Sequence, residues 1–247
     1  MTTLKDFFAR HPRTALGFSG GTDSAYLLYA GTSLGADVRP YYIKTQFQPA
    51  FELADARRLA DELGVELTVI EADILADDAV AANPPDRCYH CKRALFTLLA
   101  ERAASDGYSE LIDGTNASDD PGDRPGTRAL RELRVLSPLR ECGITKADVR
   151  RLSREAGLFT YAKPSYACLA TRVPTGRRIE AGALGRIEAA ESALRALGYD
   201  DLRVRLCEGG VRLELPESEL ERAVRRRGEI LRALDGMGRV TLDLRGR

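Results

Sequence analysis

Thr14-Ala15-Leu16-Gly17-Phe18 is an extended, half-apolar run, and Ser24-Ala25-Tyr26-Leu27-Leu28-Tyr29-Ala30 behind it carries apolar residues at helical spacing. The pattern predicts a strand over residues 14–18 and a helix over 23–33, then a short strand at 38–42. Leu53, Ala56, Leu59, Ala60 and Leu63 share one face of a predicted helix over 50–63, which Gly64 stops. A strand at 66–70, a helix at 91–104 and a strand at 111–112 follow, the last running into Asp113-Gly114-Thr115-Asn116. Strands spaced by helices of this length predict an α/β fold with a doubly wound parallel sheet. Such sheets bind ligands at the carboxyl ends of their strands, where residues 19–24 and 113–116 both fall.

The second half changes character. Residues 117–131 are polar and rich in Gly, Pro and Asp, which predicts a mobile loop. Residues 145–156 read as a helix with Thr145 as N-cap. The run Lys163-Pro164-Ser165-Tyr166-Ala167-Cys168-Leu169-Ala170-Thr171-Arg172-Val173-Pro174-Thr175-Gly176 is irregular, as expected of a boundary. Beyond it come a helix at 183–197, a hairpin from 202–206 and 211–215, a helix at 217–234 and a strand at 240–244. The expected division is a nucleotide domain over 1–160, a cysteine-bearing linker over 161–176, and a second, smaller α+β domain over 177–247.

A chain of 247 residues with 44% hydrophobic content can bury a real core. No run approaches the roughly 20 apolar residues of a membrane span, and the first residues lack a signal-peptide pattern, so a cytoplasmic address is expected. Lys plus Arg and Asp plus Glu number 37 each, a net charge of zero that argues against a nucleic-acid or acidic-membrane partner. Only two histidines, His11 and His90, are present, which argues against a hydrolase built on Ser-His-Asp or Cys-His. Five cysteines in such a compartment suggest metal or reactive thiols in preference to disulfides.

Ser19-Gly20-Gly21-Thr22-Asp23-Ser24 is the chemical centre of this pattern. Glycines between a strand and a helix N-terminus let backbone N–H groups crowd an anion, and the two serines add donors. The loop lacks the Gly-Lys-Ser/Thr ending of a Walker A loop and the three spaced glycines of a dinucleotide fingerprint. It resembles the PP-loop of the ATP pyrophosphatases, Ser-Gly-Gly-x-Asp-Ser, which implies cleavage of ATP between the α and β phosphates.

Cys88-Tyr89-His90-Cys91 is a lone Cys-x-x-Cys, and Cys168 stands apart in the irregular segment. Three thiolates in one cleft would ligate three irons of a 4Fe-4S cluster and leave the fourth open to an exogenous sulfide. The alternatives are a thioredoxin-like pair, or a structural pair with an unrelated reactive Cys168. Cys142 and Cys207 carry no ligand pattern.

Taken together these stretches resemble the LarE family of ATP-dependent sulfur transferases, which build the nickel-pincer nucleotide cofactor. The similarity spans nearly the whole chain and includes Ser137-Pro138-Leu139, Thr145-Lys146-Ala147-Asp148-Val149-Arg150 and Arg203-Val204-Arg205. Ala-Cys-Leu-Ala-Thr-Arg around Cys168 is its specific part. The resemblance implies a pyridinium-3,5-biscarboxylic acid mononucleotide as substrate. A carboxylate is adenylated with release of pyrophosphate, and sulfur then displaces AMP to leave a thiocarboxylate. ATP, Mg²⁺ and a 4Fe-4S cluster held by Cys88, Cys91 and Cys168 are the implied cofactors. In another subtype, Cys168 would surrender its own sulfur and become dehydroalanine.

The resemblance also assigns residues. Cys168, Asp23 and Arg172 would be catalytic. Ser19, Gly20, Gly21, Thr22, Asp23, Ser24, Gly114, Thr115 and Lys92 would hold ATP. Arg203 and Arg205 would take the substrate phosphate, and Glu191 and Glu214 fall where the family can carry metal-binding acids. A histidine often follows the family's Arg-x-Arg, whereas this chain has Leu206-Cys207-Glu208, which puts any role for that histidine in doubt. A homo-oligomer and an unspecified sulfide donor are expected partners. The rivals are a tRNA-thiolating PP-loop enzyme, an ammonia-using synthetase, and a nucleotide-binding iron-sulfur redox sensor.

Overall fold

The computed structural model describes residues 2–119 and 125–246. In chain order, α1 (Leu4–Arg10) leads into β1 (Arg13–Gly17), α2 (Thr22–Ser33), β2 (Asp37–Lys44), α3 (Ala50–Glu62) and β3 (Thr68–Glu71). Then come α4 (Asp78–Ala81), α5 (Arg87–Ser105), β4 (Leu111–Ile112), α6 (Pro125–Glu132), α7 (Pro138–Glu141) and α8 (Lys146–Glu155). The chain ends with α9 (Ala181–Ala196), β5 (Arg203–Cys207), β6 (Gly210–Glu214), α10 (Glu217–Arg225), α11 (Arg227–Ala233) and β7 (Arg239–Leu242). Among the described residues no helix is long and apolar enough to cross a membrane.

These elements form two compact units. One comprises the chain up to Ile74 together with Asp86–Ser165; the other comprises Leu75–Pro85 and the chain from Tyr166 onward. The short excursion Leu75–Pro85 lies within the stretch that the sequence division leaves in its first part.

The first unit is a parallel sheet of order β3-β2-β1-β4. Side-chain alternation along its strands feeds two cores. Leu16 and Tyr42 face one, with Leu27, Leu28, Ala56, Leu59 and Val149 from α2, α3 and α8. Ala15 and Tyr41 face the other, with Leu99 and Ala103 of α5. Helices on both faces make the sheet doubly wound, and burying a side chain such as Leu28 contributes about 2 kcal/mol. The second unit is a mixed sheet of order β5-β6-β7, in which β5 and β6 form the predicted antiparallel hairpin and β7 adds in parallel.

Three local expectations change. α5 starts at Arg87, not at residue 91, so Cys88 and Cys91 both lie in its first turns. Asp86 at its N-cap sits 3.4 Å from His90, one turn on, where an acidic group suits the helix start. The polar stretch 117–131 contains most of α6, entered through Pro125 with Ala129 and Leu130 buried; residues 120–124 of that stretch lie outside the described residues. The helix expected over 217–234 breaks at Arg226. There the guanidinium donates to the Leu197 carbonyl (2.8 Å) and grips Glu229, holding the corner between α10 and α11.

Candidate functional site

In the first unit the turn after β1 meets the N-terminus of α2, capped by Gly21. A cleft of about 540 Å³ opens there, lined by Ser19, Gly21, Asp23 and Ser24 from the loop and Asp113, Gly114 and Thr115 from the end of β4. Lys92 and Cys88 of α5, with Asp119 and Gly126, complete much of the wall. The Ser19 and Ser24 hydroxyls lie 3.2 Å apart, and the Gly21 N–H donates to Ser19 Oγ (3.3 Å). A helix N-terminus with clustered hydroxyls and a lysine suits a phosphate chain.

Gly20 and Thr22 do different work. Gly20 holds φ +68°, and its carbonyl accepts from Lys163 Nζ (3.2 Å). Thr22 is buried and its hydroxyl donates to the Thr160 carbonyl (3.0 Å). Both shape the loop from behind.

Charged residues around the cleft are held in place. Asp23 accepts from Lys146 Nζ (2.5 Å) and from Asn116 Nδ2 (3.2 Å). Asp113 accepts from Ser137 Oγ (2.7 Å), the Thr115 N–H (3.2 Å) and the Thr115 hydroxyl. Lys146, Asn116, Asp113, Ser137 and Lys163 were not among the residues assigned from sequence, though all lie in stretches shared with the family resemblance. The signal was present in those stretches; the pairings span too much sequence to be read. An apolar slot of about 130 Å³, lined by Phe18, Tyr41, Tyr42, Ile43, Phe96 and Leu99 among others, shares Gly17, Ser19 and Phe96 with the cleft.

In the second unit Cys168 is the N-cap of a one-turn 3₁₀ helix, Leu169–Arg172. Arg172 is fully buried and pairs bidentately with Glu191 (2.8 and 3.1 Å), itself only 2% exposed. Arg203 is buried, donates to the Leu202 carbonyl (2.7 Å) and lies over the Tyr166 ring (4.9 Å). Arg205 grips Glu214 (2.8 and 2.7 Å), and Arg212 joins it (2.9 Å). Burial and Glu191 push the Tyr166 phenol well above its usual range, so it remains a proton donor.

Burial favours the neutral form of Glu214, but the Arg205 and Arg212 guanidinium groups outweigh it and hold the carboxyl below its usual range. A carboxylate depressed in the folded chain contributes stability above its unfolded pKa, and that contribution is lost as pH falls through the folded value. The midpoint of urea unfolding should therefore fall more steeply below about pH 4 for the wild type than for Glu214→Gln. Parallel slopes would remove Glu214 from the acid response.

Comparison with known proteins agrees with this architecture. No family model matches the chain. It is 35% identical over 253 residues to an uncharacterised protein of Synechocystis sp., covering 100% of this chain and 94% of that one. It is 33% identical over 250 residues to the pyridinium-3,5-bisthiocarboxylic acid mononucleotide synthase of Lactiplantibacillus plantarum, covering 100% of this chain and 89% of that protein. The chain belongs to the LarE-like family of PP-loop ATP pyrophosphatases. Catalytic, ATP-using activity goes with that membership. A tRNA-specific 2-thiouridylase of Thermotoga maritima is more distant, at 24% identity over 193 residues, 61% of this chain and 54% of that protein.

For a LarE-like enzyme the placement of the thiols is the telling feature. Cys88 is exposed in the cleft wall, and Cys91, three residues on, shares its face of α5. Arg87 Nη2 donates to Cys88 Sγ at 3.6 Å. Two cysteine sulfurs so placed are donors that one soft metal ion can share. Cys168 belongs to the second unit. Among the described residues, no three His, Cys, Asp or Glu side chains are grouped to hold a metal ion. Asp23 and Asp119, both in the cleft wall, are the oxygen donors that suit Mg²⁺ beside phosphates.

Because Cys88 lines the cleft, nucleotide should shield it. At ten times the dissociation constant of Mg-ATP, alkylation of Cys88 is expected to slow about tenfold. Cys142, whose thiol is pushed up by burial, should be unaffected. Peptide mass spectrometry reads both sites, and equal Cys88 labelling with and without ATP would place the nucleotide elsewhere.

Proposed function

We propose that this chain adenylates a carboxylate of a pyridinium-3,5-biscarboxylic acid mononucleotide and converts it to a thiocarboxylate. The observation that carries this reading is a thiol, Cys88, in the same cleft wall as the phosphate loop, Lys92 and Thr115. Adenylation and sulfur chemistry then share one chamber. The relative from L. plantarum, named for the bisthiocarboxylic acid product, supports the substrate class.

The residues divide the work. The adenine base enters the apolar slot beside Phe96, with the phosphates across the α2 N-terminus. Loop amides, Ser19, Ser24 and Lys92 hold the charge that builds on the leaving pyrophosphate. Asp23, fixed by Lys146 and Asn116, and Asp119 would hold Mg²⁺, which neutralises the phosphate oxygens. Gly114 and Thr115 close the chamber from the β4 side. Cys88, Cys91 and Cys168 would hold the 4Fe-4S cluster, which supplies an open iron for sulfide. Arg203 and Arg205, both on β5, are proposed to take the substrate phosphate.

A second reading rests on Cys168 itself, held at the N-cap of its own turn in the second unit. In it the Cys168 thiolate attacks the acyl-adenylate carbon and AMP leaves. Loss of the Cys168 α proton then breaks its Cβ–S bond, giving thiocarboxylate and dehydroalanine.

The test uses anaerobically purified protein with Mg-ATP, the mononucleotide and sulfide. The expected result is one oxygen replaced by sulfur per pyrophosphate released, over repeated turnovers, with iron and acid-labile sulfide in the protein. A single turnover accompanied by loss of H₂S from Cys168 selects the second reading. Pyrophosphate release without sulfur in the product would sink both.

A further inference from the structure

Glu191 and Arg172 were assigned from sequence as a metal-binding acid and a catalytic cation; their geometry assigns them something else. Glu191 Oε1 accepts from Arg172 Nε (2.8 Å) and from the Val204 N–H (2.9 Å). Its Oε2 accepts from Arg172 Nη2 (3.1 Å) and from the Tyr166 hydroxyl (2.6 Å). A carboxylate has about four lone-pair directions. All are engaged on a side chain that is 2% exposed, which leaves no direction for a metal.

Arg172 is equally committed. While Nε and Nη2 hold Glu191, Nη1 donates to the Ala167 carbonyl (2.8 Å), the Thr171 hydroxyl (2.9 Å) and, more weakly, the Cys168 carbonyl (3.4 Å). The Cys168 carbonyl also accepts from the Thr171 N–H (3.0 Å) and its hydroxyl (2.9 Å). The Thr171 carbonyl in turn accepts from Arg205 Nη1, whose Nε is bound to Glu214. The turn that carries Cys168 is therefore suspended from α9 through Arg172 and from β5 through Arg205. Every link runs to the backbone or to Thr171, so the scaffold fixes where the Cys168 side chain starts.

We propose that Arg172 and Glu191 are positioning residues that seat the Cys168 turn for sulfur transfer, with Tyr166 as a lesser member of the same seat. Neither touches substrate or metal. The role in sulfur transfer rests on the function proposed above; the seat itself does not.

The test pairs a turnover measurement with one that needs no substrate. Variants Glu191→Gln, Arg172→Lys and Tyr166→Phe are made in the full chain. Glutamine keeps the shape of glutamate but turns an amide donor toward Arg172 or the Tyr166 hydroxyl. Lysine keeps the charge of Arg172 but cannot span Glu191 and the turn together. In the absence of ATP and substrate, alkylation of Cys168 should change at least fivefold in the Gln and Lys variants and less in Tyr166→Phe. Labelling of Cys207 in the same unit serves as the control and should hold steady.

With substrates, sulfur transferred per pyrophosphate released should fall about a hundredfold in Glu191→Gln, the usual effect of misplacing a reacting group by about 1 Å. Substantial rescue by Arg172→Lys would show that charge alone matters and overturn the seat. So would a divalent ion bound by the wild type and lost in Glu191→Gln while Cys168 labelling is unchanged. If Glu191→Gln does not fold, Tyr166→Phe, which removes one hydrogen bond, carries the test, and unchanged labelling there overturns the proposal. Full sulfur transfer by Cys168→Ala would instead defeat the proposed function while leaving the labelling result to judge the seat.

Discussion

Gly114→Ala is expected to weaken ATP binding about a hundredfold while the chain stays folded. A Cβ at Gly114 would lie 2.8 Å from the Ser24 nitrogen, 3.1 Å from Ser24 Cα and 3.2 Å from the Asp23 carbonyl carbon. All three are backbone atoms of the first turn of α2, so no rotamer relieves the contact. The end of β4 must part from the helix N-terminus, and these two elements hold opposite sides of the phosphate cleft. Overpacking of this kind costs about 1–3 kcal/mol of stability, which a domain of this size survives.

Gly31→Ala is the control for stability alone. Its Cβ would meet Val38 Cγ2 at 2.5 Å and Phe8 Cζ at 2.9 Å, in the core and away from the cleft. It should lower the melting temperature at least as much as Gly114→Ala without weakening ATP. Calorimetric titration with Mg-ATP and thermal unfolding of both variants check this. Equal loss of affinity in the two would show that Gly114→Ala acts through stability and not through the cleft.

The sheet and the phosphate loop were legible because each is written locally. Alternation sets the strands, spacing at three and four residues sets α2 and α3, and the glycines and serines of residues 19–24 mark the turn between. The start of α5 was misread because Pro84-Pro85 and the polar Asp86-Arg87 look like loop, yet Asp86 serves as the N-cap. α6 was hidden by composition, since only Ala129, Leu130 and a glycine packed on Lys92 show its buried side. The break at Arg226 depends on the carbonyl of Leu197, which no helical periodicity can report. Distance in sequence explains the rest. Lys146 and Asp23 stand 123 residues apart, and Arg172 and Glu191 form their pair across two elements. A resemblance could mark Arg172 and Glu191 as important, but only their hydrogen bonds separate a ligand from a support.

Lys163→Met is expected to weaken ATP binding about thirtyfold, because it removes the cation that holds the phosphate loop in shape. Lys163 Nζ lies 2.6 Å from Asp55 Oδ2 and 3.2 Å from the Gly20 carbonyl, over the Phe51 ring, with 12% of its side chain exposed. Gly20 presents its carbonyl to this lysine at φ +68°, and the next residue, Gly21, lines the cleft. A hydrogen bond to a charged group contributes about 1.5–3 kcal/mol, and about 2 kcal/mol of lost loop geometry corresponds to roughly thirtyfold in affinity. The segment bearing Lys163 is itself tied down: Arg150 donates to the carbonyls of Tyr161 (2.8 Å) and Lys163 (3.1 Å), and Thr22 to that of Thr160. Asp55→Asn separates the two partners, since Lys163 would keep its bond to Gly20 and lose only the ion pair. Its effect on ATP should be several times smaller than that of Lys163→Met. If Asp55→Asn weakens ATP as much as Lys163→Met, the ion pair with α3 and not the Gly20 carbonyl sets the loop. If neither variant does, the loop keeps its shape from Gly20, Ser19 and Ser24 alone.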